Sequence, residues 1–440
     1  MKLKILNYIK YGRYRPLNLV ESFMAQLISL FCIKKSKNYS FHVLRYKKSP
    51  ASTRYYNKLG RAIITISNFL TIILFNKIFI KGIGRQEEFY RKQNIGDDFS
   101  TWPNTYKIDY SQKKIMDKEQ EEIKNKINLQ YKYSLKNKEK SDLPFWIENR
   151  KLFKQNFFNE KEEIIFDKLK NFRNSNIEFS SHLLSSHNID NLETRSNKLK
   201  ALEIFNIYHK VAELVDEDII LNLSDNNIGN AKFIHYRKQL INERILRQGY
   251  FLSQLRNFTK LDKRENNIFC DIGHGYGLLA SILKKEFSSS KFILVDLPEL
   301  NILSYFFLKM LFPKSKICLS YEIKDIAKIN RDLIDQYDFM ILEQSDLKKL
   351  DDNVVECFIN TASLGEMSNK DQVFYIEQIE RISKKYFYSV NRFRSDNVHF
   401  SSTSNYYDFK LNEQKWITKL YKFSPTLHLE VMLEKTHLDK

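Results

Sequence analysis

Glycine and proline are scarce in this chain, eleven and seven among 440 residues. Punctuation that thin predicts a chain rich in helix and strand. Cysteine is scarcer still. Cys32, Cys270, Cys318 and Cys357 stand far apart, with no C-x-x-C and no paired Cys/His spacing. A disulfide scaffold and a cysteine-built zinc site are therefore not expected, and the expected compartment is the reducing cytoplasm. No apolar block followed by a small-residue cleavage site stands near the first residue, so no secretory leader is expected. There is no internal repeat at solenoid periods.

What is plentiful is apolar and basic. Hydrophobic residues make up 42% and aromatics 14%, enough for a core, and the length suits two or three domains. The formal charge is +19, from 72 Lys and Arg against 53 Asp and Glu. Within residues 1–60 the basic residues are many and the only acid is Glu21. A terminus of this kind attracts an anionic partner, a nucleic acid or an anionic membrane leaflet; otherwise it is a solvated basic surface. Two apolar stretches interrupt it, residues 19–33 and 62–80. The second approaches the length of a spanning helix, but Asn68, Asn76 and Lys77 break it. Basic flanks suit a helix lying among lipid headgroups, with a buried core segment as the other reading. Peripheral contact with an anionic membrane through residues 1–100, at the inner face, is therefore one expectation.

Residues 110–140 are rich in Lys, Glu, Asn and Gln and read as a solvated helix or a linker. Three regions are expected: a basic, mainly helical one over 1–140, a helical substrate or lid region over 141–260, and a ligand-binding domain over 261–440. In the middle region Ala201, Ile204, Phe205, Tyr208, Val211 and Leu214 share a helix face, as do Ile245, Leu246, Tyr250, Phe251 and Leu255. From Asn267 short apolar strands alternate with helices. Strands are expected at 268–270, 292–295, 317–319, 339–342, 354–359, 386–390 and 427–433. Ser368 is expected to cap the helix that follows the fifth, with Asp371 three residues on. Such alternation implies an α/β domain with a mostly parallel seven-stranded sheet and helices on both faces, binding ligands at the carboxyl ends of its strands.

The stretch 271–277, D-I-G-H-G-Y-G, comes off the first of these strands and opens a helix. Glycines there allow a tight turn and a close backbone approach to a ligand. A dinucleotide fingerprint would place its third glycine at 278, where Leu278 stands. Asp271 at the strand end would repel a phosphate but suits a cationic tail, such as the ammonium and sulfonium of S-adenosylmethionine. Asp296 ends the next strand, where a carboxylate can accept both hydroxyls of a ribose.

The blocks DIGHGYGLLA and KFILVDLPEL resemble the class I S-adenosylmethionine-dependent methyltransferases, with a Rossmann-like sheet. More narrowly, Asn227-Ile228-Gly229-Asn230, DIGHGYG, VDLPEL and residues 359–367 (INTASLGEM) resemble a sugar O-methyltransferase family of bacterial surface-polysaccharide gene clusters. Residues 388–392 (YSVNR) fit the same pattern, and Ala231 departs from it where proline is expected. The likeness covers roughly 200–440. It implies that Asp271, Gly273, Gly275 and Gly277 line the methionine part of the cofactor and Asp296 its ribose. Leu297 and the residues after the third strand would flank the adenine. Glu366 and Asn360 would orient a sugar or glycan acceptor, nucleotide- or lipid-linked, with Glu366 a general base. Histidine is the other usual base, and His274, His399, His235 and His428 are the candidates, with His428 taken into the catalytic set. No carboxylate–histidine cluster points to a metal. The remaining readings are a methyltransferase for nucleic acid or another small molecule, and a non-catalytic membrane-associated assembly partner. N-P-P-Y and D-P-P-Y tetrapeptides, which hold an exocyclic amine in base methylases, are missing, so nucleic acid is the less favoured partner.

Overall fold

The computed structural model describes residues 117–136, 144–174, 177, 179, 204, 207–208, 211–231, 233–236, 239–392, 411–424 and 428–436. The basic, apolar-interrupted stretch over 1–100 lies outside them, as does His399. Three helices lead: α1 (Asp117–Lys136), α2 (Pro144–Phe157) and the single turn α3 (Phe166–Leu169). After α4 (Glu217–Asn222) come two short strands, β1 (Ile234–Tyr236) and β2 (Gln239–Ile241), and the helix α5 (Glu243–Phe258). The described residues fall into two units, one holding 204–213 and 233–243 and the other 117–179, 214–231 and 244–436.

In the smaller unit β1 and β2 pair antiparallel, Ile234 opposite Ile241. Ile204, Tyr208 and Val211 are buried at helical spacing, and the Tyr208 hydroxyl donates to Gln239 at 3.4 Å. Leu214, expected to continue that stripe, belongs to the larger unit and is half-exposed.

The larger unit is built on a sheet of eight strands. These are β3 (Ile268–Ile272), β4 (Lys291–Val295), β5 (Ile317–Leu319), β6 (Phe339–Leu342), β7 (Val355–Thr361), β8 (Ser383–Asn391), β9 (Trp416–Phe423) and β10 (Leu429–Lys435). Helices α6 (Leu278–Glu286), α7 (Pro298–Leu311), α8 (Arg331–Asp335) and α9 (Asn369–Ile382) fill the connections. The spatial order is β5-β6-β4-β3-β7-β8-β10-β9. The first six run parallel, and β10 is antiparallel to both β8 and β9. The α/β Rossmann-like expectation holds, but the sheet has eight strands, not seven, and is mixed at one edge. The strand missed in the sequence is β9. Its outer face is wet, with Ile417 and Tyr421 both about half exposed, and a bulge against β10 skips Lys419 and breaks the period-two pattern.

Central strands buried on both faces read as continuous apolar runs, as β6 and most of β3 and β4 do. Helix α7 is buried nearly all round and starts with Pro298 in its first turn, where the missing N–H costs nothing. Helix α9 is capped as expected: the Ser368 hydroxyl accepts from the Asp371 N–H at 3.2 Å and donates to its carboxylate at 2.7 Å.

The segment read as a solvated helix or a linker is helical over Asp117–Lys136, and one face of it is buried rather than solvated. Helix α1 buries a stripe of Ile123, Ile127, Gln130, Tyr131 and Ser134 and belongs to the same unit as the sheet. Gln130 and Ser134 both donate to the Glu343 carboxylate beyond β6, and Arg150 of α2 pairs with Glu299 of α7 at 3.2 Å. The divisions expected at 140 and 260 therefore do not coincide with those of the fold. No helix among the described residues is long and apolar enough to cross a membrane.

Candidate functional site

A cleft of about 230 Å³ lies at the carboxyl ends of β3, β4, β6 and β7. One side is formed by the loop between β3 and α6. Gly273, Gly275 and Gly277 all take positive φ, at 76°, 62° and 85°. Gly273 shows why: beyond its left-handed backbone, any Cβ there would overlap the Ser363 side chain. Its N–H donates to the Val295 carbonyl at 2.8 Å, which ties the loop to β4.

Of the carboxylates that line the cleft, Asp271 and Asp296 stand at the glycine loop. Asp271, at the end of β3, is buried, and its Oδ1 has no hydrogen-bond partner among the described residues. Burial first, then the charge of Asp296, pushes its carboxyl up to about 8. Asp296 accepts from the Gly275 N–H at 2.8 Å and the Leu297 N–H at 2.7 Å. Burial raises it to about 7 against the pull of those two donors. Each of its oxygens keeps a lone pair for a further donor. A buried acid whose ionisation is made costlier by the charge of a second, part-buried one forms a site that an ammonium would relieve.

His274 is buried beside them. The Asn301 amide donates to the Asp296 and Leu342 carbonyls at 3.2 and 3.0 Å, which fixes its Oδ1 toward His274 Nε2 at 2.9 Å. Nε2 therefore carries the proton, and Nδ1 is a buried lone pair with no partner among the described residues. Burial lowers the imidazole to about 4, so it is neutral at ordinary pH.

The floor of the cleft corrects one expectation. Asn360 does not face the acceptor: its amide donates to the Ile272 carbonyl at 2.7 Å and the Ser363 hydroxyl at 2.5 Å. Its oxygen accepts from the Leu364 N–H at 3.2 Å and the Asn391 amide at 2.8 Å. All four capacities are spent within the fold, one of them on the Ser363 hydroxyl that abuts Gly273, so Asn360 is a positioning residue. Glu366 does line the cleft, paired with Arg392 at 3.3 Å. Burial raises its carboxyl, opposed by Arg392 and then Arg247. His428 is not in the lining. It stands at the start of β10, where its N–H donates to the Ser424 hydroxyl at 3.2 Å and its carbonyl accepts from the Ser424 N–H at 2.8 Å. His235 lies on β1, in the smaller unit.

The adenine-side expectation is corrected as well. The third strand in chain order, β5, is the sheet edge, and β6 lies between it and β4. The residues that share the cleft with Leu297 are accordingly Glu343 and Gln344 after β6, not those after β5. The first motif block, 227–230, holds Arg173 instead of facing the cleft. The Arg173 guanidinium is buried in a 2.5 Å pair with Asp225, donates to the Asn226 and Ile228 carbonyls, and lies 4.9 Å from the Tyr276 ring centroid. Lining residues not picked out in the sequence are Trp146 of α2 and Arg244, Arg247 and Gln248 of α5. Arg244, Arg247 and Gln248 stand at i, i+3 and i+4 and so share one face of that helix, a spacing visible in the sequence.

The residues present fit S-adenosylmethionine: an orphaned buried carboxylate for the ammonium, a second acid with spare lone pairs for the ribose, and a glycine loop that brings backbone close.

No family model matches the chain, and no curated protein matches it significantly. Solved structures do resemble it. A protein assigned as a sarcosine dimethylglycine methyltransferase from Galdieria sulphuraria matches with TM-score 0.33 and 12% identity, covering 44% of this chain and 87% of that one. A SAM-dependent methyltransferase from Aquifex aeolicus matches at 0.29 and 14%, covering 52% and 98%. Magnesium protoporphyrin IX methyltransferase from Synechocystis PCC 6803, with bound SAM, matches at 0.28 and 9%, covering 40% and 72%.

Proposed function

We propose that this protein is an S-adenosylmethionine-dependent O-methyltransferase that methylates a sugar hydroxyl in bacterial surface-polysaccharide assembly. The observation that carries the cofactor is the unpartnered Asp271 oxygen beside three left-handed glycines, with Asp296 opposite. The sugar acceptor is supported by the resemblance of the four motif blocks and by the polar lining beyond the glycine loop.

Asp271 holds the cofactor's ammonium, and Asp296 accepts its ribose hydroxyls. Leu297 and Gln344 flank the adenine. When bound, the cofactor supplies a methyl group on a sulfonium, which leaves as a neutral thioether. A sugar hydroxyl is a weak nucleophile at neutral pH, so its proton must be taken as the oxygen attacks. Glu366 takes it: burial raises its proton affinity, and Arg392 holds the carboxylate in place. Holding both reactants against a rigid sheet edge supplies much of the remaining acceleration.

The test is transfer of labelled methyl from S-adenosylmethionine to a panel of sugars, nucleotide sugars and polysaccharide fragments. Label in a sugar hydroxyl supports the reading; label only in nucleic acid, or tight nicotinamide dinucleotide binding without binding of the sulfonium donor, overturns it. We further propose that residues 1–100 bring the enzyme to an anionic membrane face, so that their deletion frees it from anionic vesicles and leaves cofactor affinity intact.

A further inference from the structure

Besides its acids, the cleft has a basic and polar half to which the proposed cofactor contacts assign no role. Arg244, Arg247 and Gln248 reach it from one face of α5, and Tyr276 from the glycine loop. The Arg247 Nε, the Gln248 Oε1 and the Tyr276 hydroxyl are buried, and none has a hydrogen-bond partner among the described residues. Gln248 and Tyr276 are each more than nine-tenths buried, at 8% and 3% exposure. Three orphaned polar groups around one space are a desolvation cost that a ligand must relieve. Arg247 also acts on the charge of Glu366, which puts it on the side where the hydroxyl is to lose its proton.

We infer that this half is a subsite for an anionic group on the acceptor, a phosphate or a carboxylate, with Arg247 as its principal ligand. A guanidinium presents a planar fork that matches either anion, and its charge is fixed at any working pH. Arg244 adds a second positive charge one helical turn away, the Tyr276 hydroxyl donates to an anion oxygen, and Gln248 takes a neighbouring sugar hydroxyl. The cofactor's single carboxylate brings one negative charge, against the two guanidinium groups of Arg244 and Arg247 in this lining. The inference rests on the methyltransferase reading and narrows its substrate: the sugar reaches the site already charged, linked to a nucleotide or carrying a carboxylate. A reaction that activates or oxidises the sugar must then precede methylation.

The experiment uses the full chain saturated with S-adenosylhomocysteine and three probes: uridine diphosphate N-acetylglucosamine, glucuronic acid and neutral methyl glucoside. One charged probe should bind at least about tenfold more tightly than the neutral one, and which of them does so separates phosphate from carboxylate. Arg247→Ala should erase that preference and leave S-adenosylhomocysteine affinity within about threefold, and Arg247→Lys, which keeps the charge, should retain part of it. Equal binding of charged and neutral probes overturns the inference. So does an Arg247→Ala variant that loses S-adenosylhomocysteine and keeps the probe preference, because the guanidinium would then serve the cofactor's carboxylate. Failure of the unmodified protein to bind S-adenosylhomocysteine would defeat the methyltransferase reading itself, and this inference with it.

Discussion

Binding of a cationic tail at Asp271 makes cofactor affinity depend on pH in a calculable way. With its carboxyl raised to about 8 in the ligand-free cleft, only about a tenth of molecules carry the Asp271 charge at pH 7 and about a hundredth at pH 6. Each unit below 8 therefore costs the ion pair about 1.4 kcal/mol, or roughly a tenfold loss of affinity. The neighbouring groups do not cancel this. Asp296, near 7, titrates in the same direction, and His274, near 4, stays neutral. Calorimetric titration with S-adenosylhomocysteine should show affinity falling roughly tenfold from pH 7.5 to 6.5, with proton release on binding. Stability moves the other way. A carboxyl whose folded pKa lies above its unfolded value binds more protons folded than unfolded, so the ligand-free protein should lose stability as pH rises from about 4 to about 8. Asp271→Asn should remove the larger part of both slopes and most of the affinity. Flat affinity over that range, or a full slope persisting in Asp271→Asn, would refute the role of this carboxylate.

Three further substitutions probe the same architecture. Gly273→Ala forces a side chain into a left-handed backbone and into Ser363, and should cost about 1–2 kcal/mol by urea unfolding together with a clear loss of cofactor affinity. Asp225→Asn strips the buried Arg173 of its counter-charge, and urea denaturation should show about 3 kcal/mol lost, with the Tyr276 loop loosened. Glu366→Gln should leave S-adenosylhomocysteine binding unchanged while lowering kcat by roughly a hundredfold or more, as expected for loss of a general base; a near-normal kcat would remove it from that role.

How much of this could be read from the sequence depended on how local each feature was. The order of β3, glycine loop, α6, β4 and Asp296 spans fewer than thirty residues, so the strand-end acids and the turn between them were legible. The crossover that slots β6 between β4 and β5 was not, because two strands of similar apolar character compete for one neighbour and only packing decides between them. Asn360 looked like an acceptor ligand for the same reason. Its partners, Ile272 and Asn391, come from strands 88 and 31 residues away and become neighbours only in the sheet. Helix α1 looked solvated because its buried stripe is narrow and includes polar Gln130 and Ser134, whose partner Glu343 lies more than two hundred residues on. The orphaned cluster of Arg247, Gln248 and Tyr276 is a property of burial, which no spacing rule reports.

The most direct test of the central claim is a crystal structure of the protein grown with S-adenosylhomocysteine. The ligand's ammonium should lie on Asp271, its ribose hydroxyls on Asp296, and its adenine between Leu297 and Gln344. An ordered ligand elsewhere, or a cleft filled by the protein's own side chains under saturating ligand, would contradict it.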